Sequence, residues 1–415
     1  MSGLALVARA LGAEVTGSDR TESPYMAALR AEGVEPVIGH AVENVPDGAE
    51  VVVSTAIAAD NPEVSGVEPG RLLHRSDLLA EVSRLRRCIA VSGTHGKTTT
   101  ACMVAHVLIE TGRAPGYLIG GELRTTGRNA GWGEGDWVVI EADESDRSFL
   151  KLSPEVAVVT NVELDHHATY RTPREIEEAF AQFSAAAGRT IAWEEAGVPA
   201  AVTYGLGDAD GLELGPGGAR FTALGAEVSL RVPGAHNALN ALAALDACRE
   251  AGVEPAEAAA ALASFVGAGR RFERVGTTAA GAVVYDDYAH HPTEVRATLE
   301  AARTLEPRRL VACFQPHLYS RTERLSREFG KALALADAAC VLDVYPARER
   351  AEDHPGVTGW LIATATADAS RGRPVYWTPS HGDAGRLLGS ILSEGDVLLT
   401  LGAGDVDRVA RALVR

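Results

Sequence analysis

The stretch Val91-Ser-Gly-Thr-His-Gly-Lys-Thr-Thr-Thr100 decides the fold. It follows an apolar run, Cys88 to Val91, and leads into a helical pattern from about Thr98 to Glu110 that Gly112 closes. Strand, glycine turn and helix in that order aim backbone N–H groups and the positive end of a helix at one point, where an anion is stabilised. The common phosphate loop, G-x-x-x-x-G-K-[ST], has glycine where this chain has Val91, so the loop here is the shorter Gly93-x-x-Gly96-Lys97-Thr98. Gly93 and Gly96 let the backbone approach a phosphate. Lys97 supplies a point charge for the β- and γ-phosphates, and the Thr98 hydroxyl can ligate Mg2+.

Working outward, two more apolar strands end in polar groups. Trp137 to Ile140 ends at Glu141-Ala-Asp-Glu-Ser-Asp146, whose carboxylates suit a hard cation bound through oxygen. Val156 to Val159 ends at Thr160-Asn-Val-Glu-Leu-Asp-His166, which brings an imidazole to a third strand tip. Strands alternating with helices favour a parallel sheet with its ligands beyond the carboxyl ends of the strands, so these three tips are expected on one edge.

The flanking regions repeat the alternation. Leu4 to Leu11 reads as a helix, Ala13 to Asp19 as a short strand, Val51 to Thr55 as a buried strand and Arg71 to Arg87 as a charged helix. Tyr204 to Ala226 is glycine-rich and reads as hairpin or loop, Asn237 to Ala251 as a helix, and Gly267-Ala-Gly269 as a boundary. Beyond it, Ala282–Tyr285, Leu310–Phe314, Cys340–Val344 and Val397–Leu401 read as strands of a smaller α/β domain. Their ends carry Gly269-Arg-Arg-Phe-Glu273, Asp286-Asp-Tyr-Ala-His-His-Pro292 and Phe314-Gln-Pro-His-Leu-Tyr-Ser-Arg321. The two guanidiniums of the first suit bidentate contact with phosphate or carboxylate.

Length and composition set the limits. At 415 residues the chain exceeds one ordinary core, and about three domains are expected. A net charge of -17 repels nucleic acid and anionic lipid at long range, so a phosphate ligand has to be held locally. Cys88, Cys102, Cys248, Cys313 and Cys340 are odd in number, lie in apolar runs and lack C-x-x-C spacing, which fits buried thiols in a reducing cytoplasm. No apolar run reaches the ~18 residues of a membrane span, and the start lacks the features of a secretory signal. There is no H-E-x-x-H for zinc and no G-x-S-x-G elbow for a hydrolase.

Taken with His236-Asn-Ala-Leu-Asn240, these blocks, in this order, resemble the Mur ligase family along nearly the whole chain. The resemblance implies an α/β protein of three domains: a Rossmann-like UDP-sugar-binding domain at 1–87, a P-loop ATPase-like central domain with a parallel sheet at 88–268, and a Rossmann-like C-terminal amino-acid domain at 269–415. Family members begin with a strand and glycine-rich turn ahead of the Met1-Ser-Gly-Leu4 seen here, so the first domain is expected to be N-terminally incomplete.

The implied activity is a cytoplasmic, ATP- and Mg2+-dependent ligation of L-alanine to the lactoyl carboxylate of UDP-N-acetylmuramate, by a monomer or homodimer that binds no nucleic acid. The alternatives are ligation of a recycled tripeptide to the same nucleotide sugar, or a non-catalytic nucleotide-binding relic. By correspondence with the family's motifs, ATP falls on Gly93, Thr94, His95, Gly96, Lys97, Thr98, Thr99, Asn237, Arg271 and Asp287. Metal falls on Thr98, Glu141 and His166, and catalysis on Lys97, His166, Arg271 and His290. The nucleotide sugar or amino acid falls on Ser18, Asp19, Ser54, Tyr288, His290 and Arg321. Leu318 stands where many members carry arginine.

Overall fold

The computed structural model describes residues 1–167 and 169–414. They divide into two compact units. One comprises Met1–Asp210, Thr222–Val228 and Leu239–Phe265, and the other Gly211–Phe221, Ser229–Ala238 and Val266–Arg415.

In the first unit the chain opens with helix α1 (Ser2–Ala10), strand β1 (Ser18–Asp19), α2 (Pro24–Ala31), β2 (Val37–Ile38), β3 (Val51–Val53), the one-turn α3 (Pro62–Ser65), β4 (Leu72–His74) and α4 (Arg75–Arg84). β1 pairs in parallel with β2, and β3 with β4. The sequence reading of Arg71–Arg87 as one helix is corrected here. Leu72–His74 is strand, because β3 supplies a ladder for it, and the helix starts only at a capping box in which the His74 ring accepts from Ser76 N and Asp77 accepts from His74 N. Ala13–Asp19 likewise shortens to the two residues that find a partner strand.

Then follow β5 (Arg87–Ser92), α5 (Lys97–Glu110), β6 (Gly116–Leu123), β7 (Arg128–Trp132), β8 (Trp137–Glu141), β9 (Val156–Val159), α6 (Pro173–Ala186), β10 (Arg189–Trp193) and β11 (Val202–Tyr204). They build a seven-stranded sheet in the order β11-β10-β9-β5-β8-β6-β7, parallel except for β7. Cys88, Ile89, Ala90 and Val91 are all buried although neighbours point to opposite faces, so the sheet is covered on both sides. The order places β5 between β9 and β8, and the three motif-bearing tips therefore do share one edge. The glycine-rich stretch after β11 forms three short strands, β12 (Asp210–Gly215), β13 (Gly218–Ala223) and β14 (Ala226–Leu230), where the sequence suggested hairpin or loop. Helices α7 (Ala235–Glu250) and α8 (Pro255–Leu262) follow.

The second unit contains β15 (Glu273–Thr277), β16 (Val283–Asp287), α9 (Pro292–Arg303), β17 (Arg309–Phe314), α10 (Tyr319–Leu333), β18 (Ala338–Val341), α11 (Gly359–Ala369), β19 (Val375–Trp377), α12 (His381–Ile391), β20 (Asp396–Leu401) and α13 (Asp407–Leu413). The sheet order is β15-β16-β20-β17-β18-β19, with only β15 antiparallel. Along β17, Leu310, Ala312 and Phe314 join one apolar cluster while Val311 and Cys313 join another. Alternation of the side chains thus feeds two cores, one on each face. Among the described residues no helix is long and apolar enough to cross a membrane.

Candidate active site

In the first unit the site begins at two glycines whose conformations other residues rarely adopt. Gly93 has φ +137° and Gly96 φ +83°. A Cβ at Gly93 would lie 2.0 Å from Thr160 Oγ1, and one at Gly96 2.6 Å from Asn240 Oδ1. Close packing, as well as backbone freedom, fixes these positions as glycine. The loop is pinned to the tip of β9: Thr94 N donates to Asn161 O (3.1 Å), His95 N to Asn161 Oδ1 (2.9 Å), and Asn161 Nδ2 to His95 O (2.9 Å). Thr94 Oγ1 donates to Glu163 O (2.9 Å), and His95 Nε2 lies 2.9 Å from Glu163 Oε2. Helix α5 begins at Lys97 behind Gly96, which gives no side-chain cap, so the positive end of the helix faces the loop.

Lys97 Nζ donates to Gly93 O (2.6 Å), Thr94 O (3.1 Å) and the carboxylate of Glu144, whose Oε2 is 2.8 Å away. Burial alone would lower the lysine's pKa, but the charges of Glu144, Asp143 and Glu141 outweigh it and hold it above the usual value. Burial likewise pushes the Asp143 carboxyl up, and the Lys97 charge with the Ser145 donors brings it below its ordinary value. The local state is an ammonium beside an ionised Asp143 carboxylate.

Thr98 Oγ1 donates to Glu141 Oε1 (2.9 Å), and Gly120 N to Glu141 Oε2 (2.6 Å). A hydroxyl and a carboxylate are hard oxygen donors that fit Mg2+. His166, at φ +51°, presents Nε2 to Glu144 Oε1 (3.2 Å) and lies 3.9 Å from Asp165 Oδ2. The structure therefore gathers Lys97, Thr98, Glu141 and His166 at adjoining strand tips. Glu144, fully buried, links Lys97 to His166. It was legible only as one acid of a run, since nothing in Glu141-Ala-Asp-Glu-Ser-Asp146 says which carboxylate turns inward. Thr99 is buried in the first turn of α5. At the other end of this unit, Ser18 and Asp19 form β1, Asp19 Oδ1 accepts from Arg20 N (2.7 Å), and Ser54 Oγ accepts from Ala56 N (3.4 Å).

In the second unit the adjacent arginines part company. Arg270 donates from Nε to Asp286 Oδ2 (2.8 Å), from Nη1 to Gly404 O and from Nη2 to Gly402 O (2.9 Å each). That guanidinium is committed to holding the loop after β20. The Arg271 guanidinium lies 5.1 Å from the centre of the Tyr288 ring and 3.9 Å from Glu294 Oε1. Asp287 accepts from Phe272 N (2.7 Å) and Ala289 N (2.8 Å), and burial pushes its carboxyl up to about 6 against the pull of Arg271 and those amides. His290 takes Glu294 Oε2 at its backbone N (2.9 Å) and stands edge-on to Tyr288 and to His317. Arg321 Nη1 is 3.3 Å from His317 Nδ1. Tyr288, His290, His317 and Arg321 thus form one row across the ends of β16 and β17; His317 and Glu294 enter it without having been assigned a role from sequence. Asn237, on α7, donates to Pro233 O (2.7 Å).

A glycine loop, a lysine, a hydroxyl and carboxylates at neighbouring tips of a two-faced parallel sheet define a nucleotide-phosphate-binding α/β protein. Three sequence families match the chain: the Mur ligase catalytic domain over residues 1–87, the Mur ligase middle domain over 91–248, and the Mur ligase glutamate ligase domain over 270–404. The UDP-N-acetylmuramate--L-alanine ligase of Streptomyces coelicolor is 48% identical, covering 98% of this chain and 93% of its own. That of Rubrobacter xylanophilus is 45% identical, covering 100% and 97%. Among solved structures, the UDP-N-acetylmuramate-alanine ligase of Thermotoga maritima superposes with a TM-score of 0.86 at 30% identity, covering 100% of this chain and 95% of that one. A murein peptide ligase from Psychrobacter arcticus gives 0.70 at 26% identity, covering 100% and 95%. The chain belongs to the Mur ligase family and has its three-domain α/β fold.

Proposed function

We propose that this chain is an ATP-dependent ligase that joins L-alanine to the lactoyl carboxylate of UDP-N-acetylmuramate, in peptidoglycan synthesis in the cytoplasm, as a monomer or homodimer. Residues 1–87 hold the nucleotide sugar, with Ser18, Asp19 and Ser54 among its contacts; 88–268 hold ATP; and 269–415 bring the amino acid. The three matched segments support this division.

The lactoyl carboxylate attacks the γ-phosphorus of ATP, ADP leaves, and an acyl phosphate remains. The amine of alanine adds to the acyl carbon, the nitrogen loses a proton, and phosphate leaves as the amide forms. No protein nucleophile is needed, so catalysis consists of positioning and charge stabilisation. Lys97 and the amides from Gly93 to Thr99 hold the phosphates, and Arg271 meets the charge that develops on the transferred group. Asn237 and Asp287 serve the adenosine end, and Tyr288, His290 and Arg321 orient the acceptors. Thr98 and Glu141, with His166 at a second position, would hold Mg2+, which would supply neutralisation of phosphate charge.

The observation that carries this reading is the Lys97, Thr98 and Glu141 group on adjoining strand tips, in a chain 48% identical to an alanine-adding ligase over 98% of its length. The test is ADP release with UDP-N-acetylmuramate and L-alanine, L-serine, glycine or the L-Ala-γ-D-Glu-meso-diaminopimelate tripeptide in turn. L-Alanine is expected to give the highest kcat/KM, and a preference for the tripeptide would overturn the choice of acceptor. Lys97→Ala is expected to abolish turnover in a chain that still folds, at the lowered stability that loss of the buried Glu144's partner brings.

A further inference from the structure

Outside the phosphate site, one carboxylate draws together three hydrogen-bond donors from two stretches of chain and lies beside an imidazole. Glu63, in the single turn of α3, accepts from the Ser18 hydroxyl at the end of β1 and from Asn44 Nδ2 (2.6 Å). It also accepts from Ala41 N (3.2 Å), and His40 Nδ1 lies 3.3 Å from its Oε2. His40 Nδ1 is also 2.8 Å from Ser18 Oγ. The side chains of Glu63 and His40 are only 15% and 16% exposed, while Val37, Ile38 and Val42 alongside them are 44%, 54% and 57% exposed. Of these, the enclosed carboxylate is the informative observation, because an acidic side chain is seldom this buried unless it is paired or serves a site.

The hydrogen-bond polarity is set by Glu63. Its donors hold the carboxyl below its usual range although burial alone would raise it. As an anion it takes the Ser18 proton, which leaves Ser18 Oγ to accept from His40 Nδ1–H. With Nδ1 engaged there, Nε2 is the ring nitrogen left for a further partner. We propose that Glu63 is a positioning residue for nucleotide-sugar binding, fixing Ser18 and His40 so that the imidazole Nε2 hydrogen-bonds a polar group of the nucleoside, a ribose hydroxyl or the uracil edge. This rests on the reading that residues 1–87 take the UDP substrate.

The test uses the full chain, with UDP and UDP-N-acetylmuramate as calorimetric ligands alongside steady-state kinetics. Glu63→Gln turns one acceptor into a donor facing donors, and is expected to raise Kd and KM for the nucleotide sugar about tenfold, with kcat and the KM for ATP unchanged. Ser18→Ala is expected to raise them by a similar factor. The double variant is expected to lose about tenfold and not about a hundredfold, because both changes break one network. Asn44→Ala leaves the carboxylate in place and is the milder probe, expected to raise Kd about threefold at unchanged Tm. Nucleotide-sugar affinity within twofold of wild type in both Glu63→Gln and Asn44→Ala overturns the proposal. So does a parallel fall of Tm, kcat and ATP affinity, which marks a purely structural staple. A wild-type chain that binds no UDP-N-acetylmuramate overturns the substrate reading as well.

Discussion

Lys97 Nζ lies 2.8 Å from Glu144 Oε2, and the carboxylate it meets is completely buried. The lysine expected to greet a phosphate is thus already matched by a fixed anion, with Gly93 O and Thr94 O as its other acceptors. Removing one member of a buried pair leaves the other uncompensated, so Glu144→Gln is expected to lower stability by about 3–5 kcal/mol. Lys97→Met combined with Glu144→Gln should lose clearly less than the sum of the single changes, because the pair vanishes together. Urea midpoints of the four proteins of this cycle check the coupling; additive losses contradict it. Because the folded pKa of Lys97 is raised, the stabilisation is present below the unfolded value and disappears as pH climbs through the higher folded one.

Gly120 determines where Glu141 points. Its amide donates to Glu141 Oε2, and a Cβ built on it would lie 2.8 to 3.0 Å from the three carboxyl atoms. Gly120→Ala therefore pushes the carboxylate away from Thr98 without altering its charge. The Mg2+ concentration for half-maximal turnover is expected to rise about tenfold, and the thermal shift given by ADP with Mg2+ to shrink, while the shift given by ADP without metal stays put. An unchanged Mg2+ requirement would show that Glu141 does not depend on this neighbour.

These two sites mark how far the sequence could be followed. The strand-loop-helix at Val91–Thr100 and the acids after Ile140 were plain, because an apolar run ending in glycine or carboxylate has few other uses. Which carboxylate faces the lysine was not, since Asp143 and Glu144 differ by one residue and only the path of the loop separates their directions. Gly120 sits in an ordinary-looking strand sequence and gains meaning only from β8 beside it. In the N-terminal stretch the β1 and β3 ladders add two or three residues each, too short for periodicity to bound, and β4 was hidden in a charged pattern that suits a helix equally well. Arg270 and Arg271 are chemically identical in a sequence; tertiary partners alone distinguish them.

That distinction gives a paired prediction. Arg270 spreads its guanidinium over Asp286 and two backbone carbonyls, an arrangement that lysine's single ammonium cannot reproduce. Arg270→Lys is expected to lower Tm by several degrees, since Asp286 is buried and loses its forked partner. Arg271→Lys is expected to keep Tm within about 1 °C and to reduce kcat about 10²–10³-fold, as expected for a donor that acts on transition-state charge. Calorimetry and turnover on both variants decide it; the reverse pattern would exchange the two roles.

Asp287 carries the pH prediction. Burial is the largest influence on it, and it lifts the carboxyl to about 6 from 3.8 even though Arg271, Phe272 N and Ala289 N all favour the anion. Between those two values the folded chain holds a proton that the unfolded chain has released, so the derivative of stability with pH is negative for this group. Its contribution is favourable below about pH 4, declines as pH rises through the folded value of about 6, and is spent above it. Asparagine cannot ionise, so Asp287→Asn removes this slope while leaving every other titrating group in place. The stability of wild type relative to Asp287→Asn is expected to fall by about 2–3 kcal/mol between pH 4 and pH 7. Asparagine also sets an amide donor against one of the two backbone N–H groups, which lowers the variant's stability by a pH-independent amount and leaves that difference untouched. Denaturation midpoints of the two proteins at half-unit pH steps measure it. A difference that stays flat, or that grows in favour of wild type with rising pH, would mean that the carboxylate is already ionised at pH 4 and that Arg271 and the two amides outweigh burial.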